Sequence, residues 1–299
     1  LAGWHASNPV DEFLSLARAA AEKAIQLDPD LAEAHFALAE IHKLDWEWQE
    51  AAREYRKGRG LDPSDTFGLA GYANFLSAMG RFDLAIEVAT HGMRLDPLSP
   101  ILRGELGQAL WLAGQHDAAL RKFQDALRLD PAHVQIQWIL SDFYIRAGEY
   151  DRALPFLERL KQDFETMAPA MIGYVGANFA MVGRRDDALE MLAHLLKRAE
   201  TEYIPGSALA FLYAALQDYD EVIAWLEVAY EQRDITLIVL KVDPLFAALH
   251  CDARFQKLLS RMNFPETADL PNSAVATDCA RSAAGRISPY GSVLGTQAS

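Results

Sequence analysis

Basic residues are in short supply. Twenty-eight lysines and arginines stand against 42 aspartates and glutamates, and the 299-residue chain carries a net charge of −14. No cluster of lysine or arginine interrupts that acidity. Nucleic acid and anionic lipid both reward a basic footprint, so neither is expected as the principal ligand. The surplus acid is read as solvated helix surface. Cysteine is nearly absent: Cys251 and Cys279 cannot form a disulfide framework, and they lack the spacing of a metal site. No run of about 20 apolar residues occurs, so no segment is long enough to span a membrane as a helix. The chain opens at Leu1 with neither methionine nor a basic-then-apolar leader. A fragment or processed piece is therefore expected, and the sequence names no compartment.

Chemistry-bearing motifs are missing too. There is no Gly-x-x-x-x-Gly-Lys-Ser/Thr, no Gly-x-Gly-x-x-Gly, no His-Glu-x-x-His and no Gly-x-Ser-x-Gly; Gly291-Ser292-Val293-Leu294-Gly295 has glycines at the wrong spacing. His35 and His42 lie seven residues apart on one helical face with Glu40 nearby, but they occupy packing positions and are expected as partly buried histidines rather than metal ligands. Acid pairs such as Asp45 with Glu47, or Asp186 with Asp187, fall at helix starts, where capping accounts for them. The reading is non-enzymatic, with no catalytic residue, no metal and no cofactor.

What is present is a beat. Leu-Asp-Pro occurs at Leu27-Asp28-Pro29, Leu61-Asp62-Pro63, Leu95-Asp96-Pro97 and Leu129-Asp130-Pro131, so successive prolines are 34 residues apart. Ala51, Ala85, Ala119, Ala153 and Ala188 keep the same register, with Val222 next in line. Gly80, Gly114, Gly148 and Gly183 fall five residues before four of these, and Asp83, Asp117, Asp151, Asp186 and Asp220 two before. Large apolar residues at Leu38, Tyr72, Leu106, Leu140, Val175 and Leu209 are each followed by a small or polar one. Small residues let two helices approach closely, glycine permits a tight or left-handed turn, and proline ends a helix.

This pattern resembles tetratricopeptide repeats, whose 34-residue unit is a pair of antiparallel helices. The resemblance implies an all-α, right-handed α-solenoid, built as a row of small interfaces rather than one core. Residues 1–31 read as a partial repeat or capping helix, with a helix start at Asn8-Pro9-Val10-Asp11. Six repeats follow over 32–65, 66–99, 100–133, 134–168, 169–202 and 203–236. The aspartate before each second helix is expected to accept orphan backbone N–H bonds. In the first repeat, Trp48 fills the aromatic slot of Phe82 and Tyr150, while Trp46 takes the glycine place and is expected at the surface. Capping helices are expected over 237–264: one across Ile235–Val242, one starting at Asp243-Pro244, and one over Asp252–Met262. Beyond Pro265 the composition turns to Ala, Ser, Gly, Pro and Thr, and 265–299 are expected to be disordered.

First helices line the inner wall of such a superhelix. The expected partner-binding residues there are Phe36, Glu40, Phe67, Asn74, Gln108, Trp111, Gln135, Trp138 and Asp142. Aromatics with amides and a few acids suit a helix or extended peptide with apolar anchors and basic flanks. The carboxylate clamp of some tetratricopeptide domains is matched at Asn74, but Ala70 stands where a lysine would be and Glu105 where an arginine would help. Several phrases further resemble the C-terminal repeat regions of bacterial signalling proteins, those headed by a winged helix, a class III nucleotide cyclase or a Ser/Thr kinase. They are Leu31-Ala32-Glu33-Ala34-His35, Asp45-Trp46-Glu47-Trp48, Leu95-Asp96-Pro97-Leu98-Ser99-Pro100, Asp243-Pro244-Leu245-Phe246 and Asp252-Ala253-Arg254-Phe255-Gln256-Lys257-Leu258-Leu259. That resemblance implies a regulatory region partnered by an upstream domain of the same polypeptide. Without it, the expectation is a scaffold that binds a protein or peptide.

Overall fold

The computed structural model describes residues 9–264, with side chains from residue 13 onward. The disorder expected over 265–299 and the helix cap expected at Asn8 lie outside the described residues. Fourteen α-helices and three short 3-10 segments are present among the described residues, and no strand. They fall into two compact units, one over 9–129 with 262–264 and the other over 130–261.

The N-terminal unit holds α1 (Pro9–Leu27), α2 (Ala32–Leu44), α3 (Trp48–Leu61), α4 (Thr66–Ala78), α5 (Phe82–Leu95), α6 (Pro100–Leu112) and α7 (His116–Leu129). Helices pack as hairpins, α2 with α3, α4 with α5 and α6 with α7, while α2, α4 and α6 also touch in series. The beat explains this packing. Ala51, Ala85 and Ala119 are fully buried where each second helix crosses its first. A larger side chain there would overpack the crossing, at a cost of about 1–3 kcal/mol. Residues 262–264 return to this unit: the Trp48 indole N–H donates to the Met262 carbonyl at 2.8 Å, and the Phe264 ring stacks on Trp48 with centroids 4.9 Å apart.

The C-terminal unit holds α8 (Val134–Arg146), α9 (Tyr150–Gln162), α10 (Pro169–Met181), α11 (Arg185–Arg198), α12 (Gly206–Leu216), α13 (Tyr219–Glu231) and α14 (Ala253–Arg261). Pairs α8 with α9, α10 with α11 and α12 with α13 repeat the hairpin, and Ala153, Ala188 and Val222 are fully buried at its crossing. First helices approach closely: a Cβ on Gly173 would overlap the Ala208 backbone of α12.

Turn chemistry follows the same register. Gly80, Gly114, Gly148 and Gly183 adopt φ of 71°, 77°, 74° and 82°, and Trp46 and Gln217 fill the equivalent place at 61° and 65°. Each left-handed residue lets the next N–H reach back to a helix carbonyl, as Arg81 does to Leu76 at 2.8 Å. The Leu-Asp-Pro aspartates form side-chain turns. Asp28, Asp62, Asp96 and Asp130 each accept from the backbone N–H two residues on, at 3.1, 2.8, 3.1 and 3.1 Å.

Several expectations need correction. Trp46 is 4% exposed and packs on Trp48, because an indole at this turn folds inward over its neighbour. The residues before α3, α5, α9, α11 and α13 make no side-chain cap bond. Asp83, Asp151, Asp186 and Asp220 instead sit inside the first turn, where a carboxylate favours the positive end of the dipole. Side-chain caps serve first helices: Asp65 accepts from Phe67 and Gly68, and Ser99 from Leu102. Finally, the segment after Arg233 forms 3-10 turns over Ile235–Val239 and Pro244–Leu249 rather than α-helices. The helix expected over Asp252–Met262 is α14.

Candidate functional site

In the N-terminal unit, the inner face is built from one position repeated on α2, α4 and α6: Glu40, Asn74 and Gln108 stand 34 residues apart. One turn along come Lys43, Ser77 and Trp111. Lys43 is buried and its ammonium sits 2.5 Å from a Glu40 carboxylate oxygen; the other oxygen accepts from the Tyr55 hydroxyl of α3. Gly71 leaves the space that this carboxylate fills. Asn74 donates to Glu105 at 3.5 Å, a long bond. Burial pushes the Glu105 carboxyl up to about 7, aided by Glu40 and opposed by Asn74 and Lys43. Ser77 is buried beside this row with its hydroxyl unpaired. Gln108 and Trp111 are half-buried, and Phe67 is 82% exposed.

Phe36 departs from the expected site. It is buried, with its ring against Gly58 of α3 and Gly68 of α4, so it belongs to the packing. The acids Glu40 and Glu105 also make this row unsuited to a peptide's terminal carboxylate. His35 and His42 hold no ligand geometry. His35 gives one ring nitrogen to Glu54 at 2.6 Å and the other to the Pro29 carbonyl at 3.0 Å, and His42 pairs with Glu47 at 2.5 Å. Among the described residues, no group of three or more His, Cys, Asp or Glu side chains is placed to hold a metal ion.

In the C-terminal unit, the corresponding face is covered by the chain itself. Trp138 of α8 stacks on Tyr174 of α10 at 4.7 Å, Tyr174 meets Phe211 of α12 edge-on, and Phe211 meets Phe246 edge-on at 4.9 Å. The Tyr174 hydroxyl donates to Thr236 at 2.9 Å, and Asp234 accepts from the Ser207 backbone N–H at 3.1 Å. Arg146 donates to Asp142 at 2.8 Å and to Asp243 at 3.0 Å. Burial raises the Asp142 carboxyl above its ordinary range despite Arg146, and Asp243 adds to the rise. Trp138 and Asp142 therefore serve contacts within the chain; only Gln135 of this group is exposed.

The sequence register puts Glu40, Asn74, Gln108 and Trp111 on the first helices α2, α4 and α6. It missed Tyr55, which reaches that row from a second helix and has no register signal. It also missed the 234–246 segment, which lies where the beat has ended.

Two tetratricopeptide-repeat models match the sequence, one over residues 73–122 and one over 110–166. Tetratricopeptide repeats are thus present across 73–166. No curated protein matches. Among solved structures, PilF of Pseudomonas aeruginosa is similar at 22% identity, covering 70% of this chain and 91% of that one, with a TM-score of 0.52. PilW, a type IV pilus biogenesis factor, is similar at 18% identity, covering 67% and 90%, with a TM-score of 0.54. IFIT1 in complex with a capped RNA is similar at 15% identity, covering 71% and 56%, with a TM-score of 0.53. Likeness at these identities shows the fold alone, and a fold of this kind does not fix its ligand.

Proposed function

We propose that this chain is a non-enzymatic interaction scaffold whose recognition surface is the inner face of the N-terminal unit. The observation that carries the reading is the row Glu40, Asn74, Glu105 and Gln108 leading to Trp111. Lys43, Tyr55 and Gly71 hold the first of these in place, and a buried, unpaired Ser77 hydroxyl lies beside it. Polar groups fixed by their neighbours bind without first losing much side-chain entropy. The half-buried indole offers an apolar anchor of the type that dominates binding energy. The ligand is a helix or extended peptide with one apolar side chain for Trp111 and an amide or cationic group for the Glu40–Glu105 end. Selection of binders from a random peptide library on the full chain, followed by cross-linking of the bound peptide, tests this. Cross-links to α2, α4 and α6 support the reading, and cross-links confined to other surfaces overturn it.

The finer reading, a regulatory region partnered by an upstream output domain, draws on one added observation. Trp48, which closes the Asp45–Trp48 phrase of that resemblance, holds Met262 through its indole N–H and stacks on Phe264. The same inner face would then receive the output domain, and co-purification of the two parts expressed separately tests it.

A further inference from the structure

On the premise that the inner face of the N-terminal unit binds a peptide, we propose that Glu105 is the residue that fixes the ligand's charge. It receives, as a carboxylate, the ammonium or guanidinium of a lysine or arginine in that peptide.

The polar groups of this face are one cation short. Glu40 is served on both oxygens, one by the buried Lys43 ammonium at 2.5 Å and the other by the Tyr55 hydroxyl. Lys43 is thereby committed to Glu40. Among the described residues, the one hydrogen bond to Glu105 comes from the Asn74 amide at 3.5 Å, a length at which little stabilisation remains. Glu105 is half-buried, so a ligand can reach it. One turn beyond Asn74, in the register of Lys43 and Trp111, Ser77 is 2% exposed and its hydroxyl has no partner. Two polar groups around Asn74 thus lack the partners that burial demands.

Without a ligand, a proton meets the shortage. Burial pushes the Glu105 carboxyl up to about 7; Glu40 of α2 adds to the rise, while Asn74 of α4 and Lys43 of α2 oppose it. Tyr55 of α3 is held above its ordinary range by burial, then by Glu40 and Glu105, and stays neutral. Among the described residues, no titratable group of α5 or α7 acts on Glu105. When a ligand cation enters, the carboxyl O–H bond breaks, the proton passes to water, and the carboxylate pairs with the cation. A neutral amide does not supply that charge, and an anion meets two acids.

Apolar side chains flank the point. Ile101, 54% exposed, lies one turn before Glu105 on α6, and Phe67, 82% exposed, holds the same place on α4. Trp111 follows further along α6. At 1.5 Å per residue, Ile101 and Trp111 are about 6 and 9 Å from Glu105 along the helix, or about two and three residues of an extended chain. The ligand class is a segment with lysine or arginine between two apolar side chains.

Two capped peptide pools, Leu-x-Lys-x-x-Phe and Leu-x-Gln-x-x-Phe with x drawn from Ala, Ser and Thr, are titrated into the full chain at pH 8 and pH 6. At pH 8 the lysine pool should bind at least about tenfold more tightly. Its affinity should fall about tenfold at pH 6, where Glu105 holds its proton, while the glutamine pool changes less than about twofold. Glu105→Gln should abolish both the preference and its pH dependence, and the pool comparison on the parent chain stands without any variant. A lysine preference that persists in Glu105→Gln reports only the general acidity of a chain of net charge −14 and overturns the inference. Trp111→Ala separates the two levels. If it weakens both pools but they bind alike, or bind indifferently to pH, the role of Glu105 is overturned and the inner face stands. If neither pool responds to Trp111→Ala, or neither binds at up to about 1 mM, both fall.

Discussion

Arg146 and Asp243, 97 residues apart in the chain, are joined by a 3.0 Å hydrogen bond, and the same guanidinium holds Asp142 at 2.8 Å. All three side chains are mostly buried. One cation thus neutralises two carboxylates and pins the 234–246 segment to the inner face of the C-terminal unit. Arg146→Ala leaves both acids uncompensated and should cost about 3–5 kcal/mol. Asp243→Asn keeps an acceptor for the guanidinium and should cost about 1 kcal/mol. Urea unfolding of the two variants measures both, and the order should be Arg146→Ala well below Asp243→Asn.

Gln217 sits in the left-handed slot that glycine fills at four equivalent turns, with φ of 65°, and it is exposed. Gln217→Gly removes a backbone strain without deleting a buried contact. A gain of about 0.5–1 kcal/mol is expected by chemical denaturation. The mirror change Gly148→Ala, at φ of 74° with open space around it, should lose a similar amount through backbone strain alone.

Glu105 gives the N-terminal unit a pH dependence of unusual sign. Its carboxyl holds a proton up to about pH 7 in the folded chain, while an unfolded glutamate releases it near about 4.3. Folding therefore takes up a proton between those limits. Its contribution is fully present below about pH 4.3, declines as pH rises to about 7, and stays low above that. Glu105→Gln should be about 1–2 kcal/mol more stable than the parent at pH 8 and no more stable at pH 4. Unfolding curves across that range check it.

Gly173→Ala should cost about 1–3 kcal/mol, since the added methyl meets the Ala208 backbone rather than a movable side chain. Gly60→Ala, where nothing lies within 4 Å, is the control and should be neutral or mildly stabilising. Chemical denaturation of the two variants side by side checks the difference.

The hairpins were legible because their signals are local and recur: a small residue at the crossing, a left-handed residue in the turn, an aspartate before proline. Long-range events left no such mark. Phe36 looked like a groove aromatic, and only Gly58 and Gly68, glycines with no turn to serve, hinted that a ring was packed on them. Trp46 kept its register but not its expected exposure, since backbone conformation is set by the turn while burial is set by Trp48 beside it. The cover over Trp138 and Asp142 was hidden for another reason. Residues 234–246 form 3-10 turns stabilised by side-chain bonds to three different helices, and no periodicity in a sequence announces that kind of packing. On the N-terminal face, the amides and acids could be placed by register, but Tyr55 arrives from outside it.

The central claim is that the N-terminal inner face recognises a peptide through Trp111. The most direct measurement is calorimetric titration of a library-selected peptide into the parent chain, Trp111→Ala, Asn74→Ala and the surface control Gln135→Ala. The account predicts at least about a tenfold loss of affinity for the first two, with unchanged melting and no loss for the control. Equal affinity across all four proteins, or a loss that only follows a fall in melting temperature, would contradict it.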